Sequence, residues 1–86
     1  MTERIEIEGI DFDYNPDRMK TWHAFKLFKQ LREATDNIER VENMLAIACY
    51  IVDMDMEAFV DKCGSEDMET ITRIASELLA GAYPKN

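Results

Sequence analysis

Met44-Leu45-Ala46-Ile47-Ala48-Cys49-Tyr50-Ile51-Val52 is a run of nine apolar residues inside a stretch that otherwise has helical spacing. A helix that merely caps a small core carries one apolar stripe and one polar face. Upstream of the run there is such a stripe, formed by Ile38, Val41, Met44 and Leu45. From Met44 onward every side is apolar, for about two and a half turns at 3.6 residues per turn. In 86 residues there is little protein to cover such a segment. It is therefore either a central helix wrapped on all sides or one that keeps part of its surface for another chain.

The surrounding sequence supplies the other elements. In residues 3–14, Ile5 and Ile7 alternate with charge, Gly9 breaks the phase, and Ile10, Phe12 and Tyr14 alternate with Asp11 and Asp13. Two alternating segments around a glycine read as a β-hairpin turning near Glu8-Gly9, with a single bulged strand as the alternative. Asn15-Pro16-Asp17 is a helix-start signal. Trp22, Phe25, Phe28 and Leu31 then recur at three-residue steps, which predicts a first helix over 17–34 with an aromatic face expected to anchor it in the core, an exposed binding stripe being the alternative. Asp36, with Glu39 three residues on, opens a second helix that runs to Val52. After a break at Asp53-Met54-Asp55, a short helix over 56–63 ends on Gly64 as a left-handed cap. Ser65 is the expected cap of a last helix, in which Met68, Ile71, Ile74, Ala75, Leu78 and Leu79 follow helical spacing and which stops at Gly81 and Pro84. The expected architecture is a single, mainly α domain: a small helical domain of three to four helices with a short N-terminal β-hairpin or strand. Its parts are a strand segment over 1–15, a helical body over 16–83 and a tail over 84–86.

Composition narrows the function. With 47% hydrophobic and 33% charged residues, the chain is globular in type rather than disordered. No apolar run approaches the ~20 residues that span a bilayer, and the first residues lack the basic-then-apolar pattern of a secretory signal. The expected location is the cytoplasm, with no membrane partner. Net charge is −8, which disfavours contact with a phosphate backbone, so no nucleic-acid partner is expected. The charge is uneven: residues 1–17 carry −5, residues 18–34 carry +4, residues 35–53 carry −3 and residues 54–86 carry −4. Solvated faces explain this pattern simply; complementarity between copies of the chain is the sharper reading.

The residues offer little for catalysis, and no enzyme activity is expected. Asp11-x-Asp13-x-Asn15-x-Asp17 copies the first half of a calcium loop, but Pro16 stands where a glycine must turn the chain and Trp22 where a bidentate Glu is needed. His23 is the single histidine and has no patterned nucleophile. Cys49 and Cys63 lack the spacing of a metal site; Cys49, in the apolar run, reads as a buried small hydrophobe, and Cys63 precedes Gly64 at a helix end. No metal or cofactor is expected. The methionines are more telling. Met44, Met54, Met56 and Met68 fall in or beside the three C-terminal helices, and adaptable thioether side chains suit either core filling or a surface that accepts varied apolar partners. The candidate partner-binding residues are Met44, Ile47, Tyr50, Ile51, Met54 and Met56.

The order of events over residues 5–86 resembles the tail assembly chaperones of long-tailed bacteriophages infecting Gram-positive hosts. It comprises a strand segment, an Asp-rich turn with a proline, a helix opening Asp17-Arg18-Met19-Lys20-Thr21-Trp22, an Asp-started helix with a Leu/Ile-rich body, a short helix ending at Gly64, and an amphipathic helix stopping near Lys85-Asn86. The resemblance implies a non-catalytic protein of virion morphogenesis in the host bacterial cytoplasm. Such a protein binds the tape measure protein and shields its apolar helices until the tail tube forms. It also implies the tail tube protein, a frameshifted longer product and further copies of the chain as partners. The resemblance further implies that the chain is the short product of a frameshifted gene pair, and Pro84-Lys85-Asn86 permits the codons CCA-AAA-AAC, which contain a slippery heptamer. Two rival readings stand beside it: an acidic phage inhibitor that mimics DNA toward a host enzyme, and a dimeric regulatory interaction domain.

Overall fold

The computed structural model describes residues 2–82. Two antiparallel strands, β1 (Glu3–Ile7) and β2 (Ile10–Tyr14), lead into a short 3₁₀ helix over Pro16–Lys20. Four helices follow: α1 (Trp22–Glu33), α2 (Asn37–Val52), α3 (Met56–Cys63) and α4 (Met68–Ala82). The domain is mainly helical, and α2 is its axis: α1, α3, α4, β2 and the 3₁₀ helix all pack on it.

The hairpin alternative holds over the bulged strand. Glu8 (φ 52°) and Gly9 (φ 84°) both take left-handed backbone, the requirement of a type I′ two-residue turn. The register pairs Ile5 with Phe12 and Ile7 with Ile10, which puts the three isoleucines, Phe12 and Tyr14 on one face. That face meets the helices, and Phe12 lies 5.7 Å from the Phe59 ring of α3. The other face carries Arg4, Glu6, Asp11 and Asp13 in solvent. Asp13 faces Arg4 at 3.6 Å and Asn15 Oδ1 accepts the Asp17 N–H, so two of the calcium-loop positions have local partners.

The predicted first helix is two elements. Thr21 adopts extended backbone and starts α1 afresh, its Oγ1 accepting the Ala24 N–H. The same hydroxyl donates to the Arg18 carbonyl, so the Tyr50 hydroxyl, 2.9 Å away, is the donor to it. The aromatic core face of this helix is corrected as well. Steps of three residues drift by about 60° each on a helix of 3.6 residues per turn, so Trp22 and Leu31 lie on opposite sides. The inward face is Ala24, Leu27, Phe28 and Leu31, while Trp22 (70% exposed) and Phe25 point to solvent.

Both ends of α2 are closed by the chain itself. Asp36 Oδ1 accepts the Ile38 N–H at the start. At the end, Asp53 turns left-handed (φ 56°) and the Met54 N–H closes on the Cys49 carbonyl, a Schellman-type stop. The next two carbonyls are also taken, Tyr50 by the Arg18 guanidinium at 2.8 Å and Ile51 by the Asn15 N–H at 3.0 Å. A cation at this end also meets the negative pole of the helix. In α3, Asp55 caps the start and Gly64 (φ 72°) the end. Asp67, not Ser65, caps α4: its carboxylate accepts the Thr70 N–H, and Ser65 supports it by accepting the Asp67 N–H. Gly81 lies inside α4 against Ile5 of β1, where a Cβ would collide with the Ile5 methyl. The expected stop at Pro84 and the tail over 84–86 lie outside the described residues.

Ile47, Ile51, Phe12, Phe59, Ile74 and Leu78 belong to one enclosed core. Ile51→Ala removes fully buried methyl groups and is expected to destabilise by about 2–5 kcal/mol. Ile38→Ala, on the open first turn of α2, is expected to stay within about 0.5 kcal/mol. Urea denaturation of the two variants checks the contrast.

Candidate functional site

The helical run is apolar all round, but its enclosure is uneven along α2. The C-terminal half is wrapped, with Ile47 and Ala48 at 0% and Ile51 at 1% exposure. The N-terminal half is not, and Ile38 is 71% exposed. The reason is placement: β2, α3 and the 3₁₀ helix pack on α2, with Asn15 and Arg18 bonded at its end, while α4 and α2 face each other across an opening at its start. Between the first halves of α2 and α4 the surface opens into a cleft of about 740 Å³. Val41, Met44 and Leu45 line it from α2, with Ile38 and Met68 at its mouth. Its rim is acidic, with Glu42, Glu69 and Glu77. Among the described residues Arg73 is the one cation lining it, and it is already committed, donating to both carboxylate oxygens of Glu8 at 2.7 and 3.0 Å.

The six candidate residues named from sequence do not form one surface. Ile47 and Ile51 are sealed in the core and cannot meet a partner in this fold. Tyr50 is half-buried and occupied: its hydroxyl bonds Thr21, His23 packs on its ring at 4.6 Å and Arg18 lies over it at 5.0 Å. Met54 and Met56 sit at the α2–α3 corner, where Met56 accepts the Cys49 thiol at 3.6 Å and keeps 39% exposure. Of the six, Met44 alone lines the cleft. Sequence reasoning missed Ile38, Val41, Leu45 and Met68 as site residues. For the three on α2 the signal is the stripe beginning at Ile38, a full turn and a half before the nine-residue run, on a helix face that needs cover beyond what the neighbours supply; Met68 opens α4 opposite it.

Burial holds both thiols up, Cys49 further aided by the nearby Asp55 charge, which makes them poor nucleophiles at neutral pH. Both cysteines are free. Among the described residues no group of three His, Cys, Asp or Glu side chains is placed to hold a metal, and no helix is long and apolar enough to cross a membrane. On the rim, the Arg73 hydrogen bonds, and then that from Glu77, draw Glu8 down to about 2. Glu77 moves the other way, raised first by sharing a hydrogen bond with Glu8.

Compared with known proteins, the chain matches no family model, no curated protein and no solved structure.

The Glu8–Arg73 link ties the hairpin turn to α4 beside the cleft. Because Glu8 is depressed in the folded state, its contribution is complete above its ordinary value of 4.5 and is lost as pH falls toward about 2. Both side chains stay partly exposed, so solvent screens the pair and the effect is modest. Glu8→Gln is expected to lower the urea midpoint at pH 7 and to flatten its decline over that acidic window. Equilibrium urea titrations across pH check this.

Proposed function

We propose that this chain is a bacteriophage tail assembly chaperone that binds apolar helical segments of a tape measure protein and shields them without catalysis. The observation that carries the reading is the open, methionine-bearing cleft between α2 and α4. An amphipathic helix laid into a groove presents anchors at i, i+3, i+4 and i+7, and a cleft of about 740 Å³ with an apolar floor suits two or three of them. Unbranched Met44 and Met68 adapt to varied anchors, which favours a partner with many non-identical apolar segments. The acidic rim favours segments flanked by Lys or Arg and repels acidic ones. The net charge of −8 keeps a protein with exposed apolar surface in solution. Shielding by several copies, in the cytoplasm of the infected host, follows from this reading, with the tail tube protein and a longer frameshifted product as neighbours in the same assembly step. The rival reading as a nucleic-acid mimic requires a continuous negative surface, and the +4 stretch over 18–34 interrupts one.

Co-expression with a tape measure fragment tests the proposal. The fragment is expected to be mostly soluble with the chain and mostly insoluble without it. The double variant Ile38→Asp/Met68→Asp, altered only at the mouth of the cleft, is expected to fold normally and lose most of the effect. Equal insolubility with and without the chain, or full shielding by the double variant, overturns the reading.

A further inference from the structure

The outward face of α1 combines features that the cleft does not. Trp22 and Phe25 stack on one another in solvent with ring centroids 5.4 Å apart, at 70% and 54% exposure. Beside them lies a separate concavity of about 440 Å³, with half-buried Met19 and Phe28 at its apolar base. Three cations, Lys20, Lys29 and Arg32, border it. None of the three is ion-paired among the described residues, whereas Arg4, Arg18 and Arg73 all are. A small domain therefore keeps a pair of large aromatics in water next to unneutralised charge, on the one segment whose sign opposes the rest of the molecule. Exposed aromatic pairs with adjacent arginine are the composition of interface hot spots.

We propose that this α1 face is a second docking surface, for an acidic segment with aromatic or aliphatic anchors on another protein. The occupant follows from complementarity. The concavity is sized for one or two side chains, which a peptide supplies and a flat bilayer does not. A phosphate backbone or an anionic membrane extends well past the patch and meets the −5 of residues 1–17 and the negative remainder of the chain. A short acidic segment confines its charge to the patch. The two surfaces then select opposite partners: the cleft takes apolar helices with basic flanks, and α1 takes acidic segments. The α1 surface stands independently of the cleft and of any function assigned to it.

Trp22 is the single tryptophan and reports occupancy directly. The probe is a synthetic peptide with Phe, Leu and Met at helical i, i+3 and i+7 positions and Glu elsewhere; the same peptide with Lys for Glu is the control. The acidic peptide is expected to shift Trp22 emission to the blue with saturation. Its affinity is expected to fall at least tenfold in Lys29→Glu/Arg32→Glu and in Phe25→Ala, at unchanged circular dichroism and melting temperature, and to be unchanged in Ile38→Asp. The Lys peptide is expected not to bind. Absence of saturable binding, equal binding of the Lys peptide, or retained affinity in both α1 variants overturns the proposal. So does a response confined to phosphatidylglycerol vesicles or single-stranded DNA. A blue shift produced by raising protein concentration alone would place a second copy on this face and also overturn it.

Discussion

Everything in this molecule is arranged around the enclosure of the last two turns of α2. Ile47, Ala48 and Ile51 reach essentially no solvent because β2, α3, α4 and the segment after β2 all converge there. The same end is where the backbone accounting is tightest. Three successive carbonyls, at Cys49, Tyr50 and Ile51, receive the Met54 N–H, the Arg18 guanidinium and the Asn15 N–H. A helix end buried without such partners would leave acceptors unsatisfied at a cost of about 1–3 kcal/mol each. The hairpin is thus not an appendage: the segment that leaves it, through Asn15 and Arg18, supplies donors that let α2 end inside the protein.

That concentration of cover has a consequence at the other end. A chain of this size buries only part of its unfolded surface, and protein spent on one half of α2 is withheld from the other. α1 and α4 flank the first two turns but leave their apolar stripe open, and the cleft is what remains. The exposed grease is held in solution by charge distributed in blocks: an acidic outer hairpin face, an acidic cleft rim and a basic outer α1. The Glu8–Arg73 pair links the hairpin turn to α4 and occupies the one cation that lines the cleft among the described residues.

Much of the fold was legible because it rests on local rules. Alternation about Gly9 favoured the hairpin over a bulged strand, Asp36 and Gly64 marked helix ends, and the continuous apolar run offered an axial helix as one of its two readings. Where the reading failed, tertiary placement decided. Trp22 to Leu31 looked like a face only if three-residue steps were treated as one stripe, and the phase that won is the one that buries Ala24 completely and turns Leu27, Phe28 and Leu31 to the core. Thr21 split the first helix because its hydroxyl serves Arg18, Ala24 and Tyr50 at once, which no local pattern announces. Ser65 yielded the cap to Asp67 by two residues, a boundary that propensity does not resolve. The candidate surface was placed too far toward the C-terminus for a related reason. The densest apolar sequence attracts the most cover, so the accessible remainder lies beside the run, at Ile38, Val41 and Met68, rather than within it.

The most direct test of the account is paramagnetic attenuation of the methionine methyl signals by a soluble relaxation agent, with and without a tape measure fragment. The uneven enclosure of α2 predicts strong attenuation of Met68 and intermediate attenuation of Met44 in the free protein, with both protected when the fragment is added and Met54 little changed. Met68 already protected in the free chain, or both signals indifferent to the fragment while Met54 and Met56 respond, would contradict it.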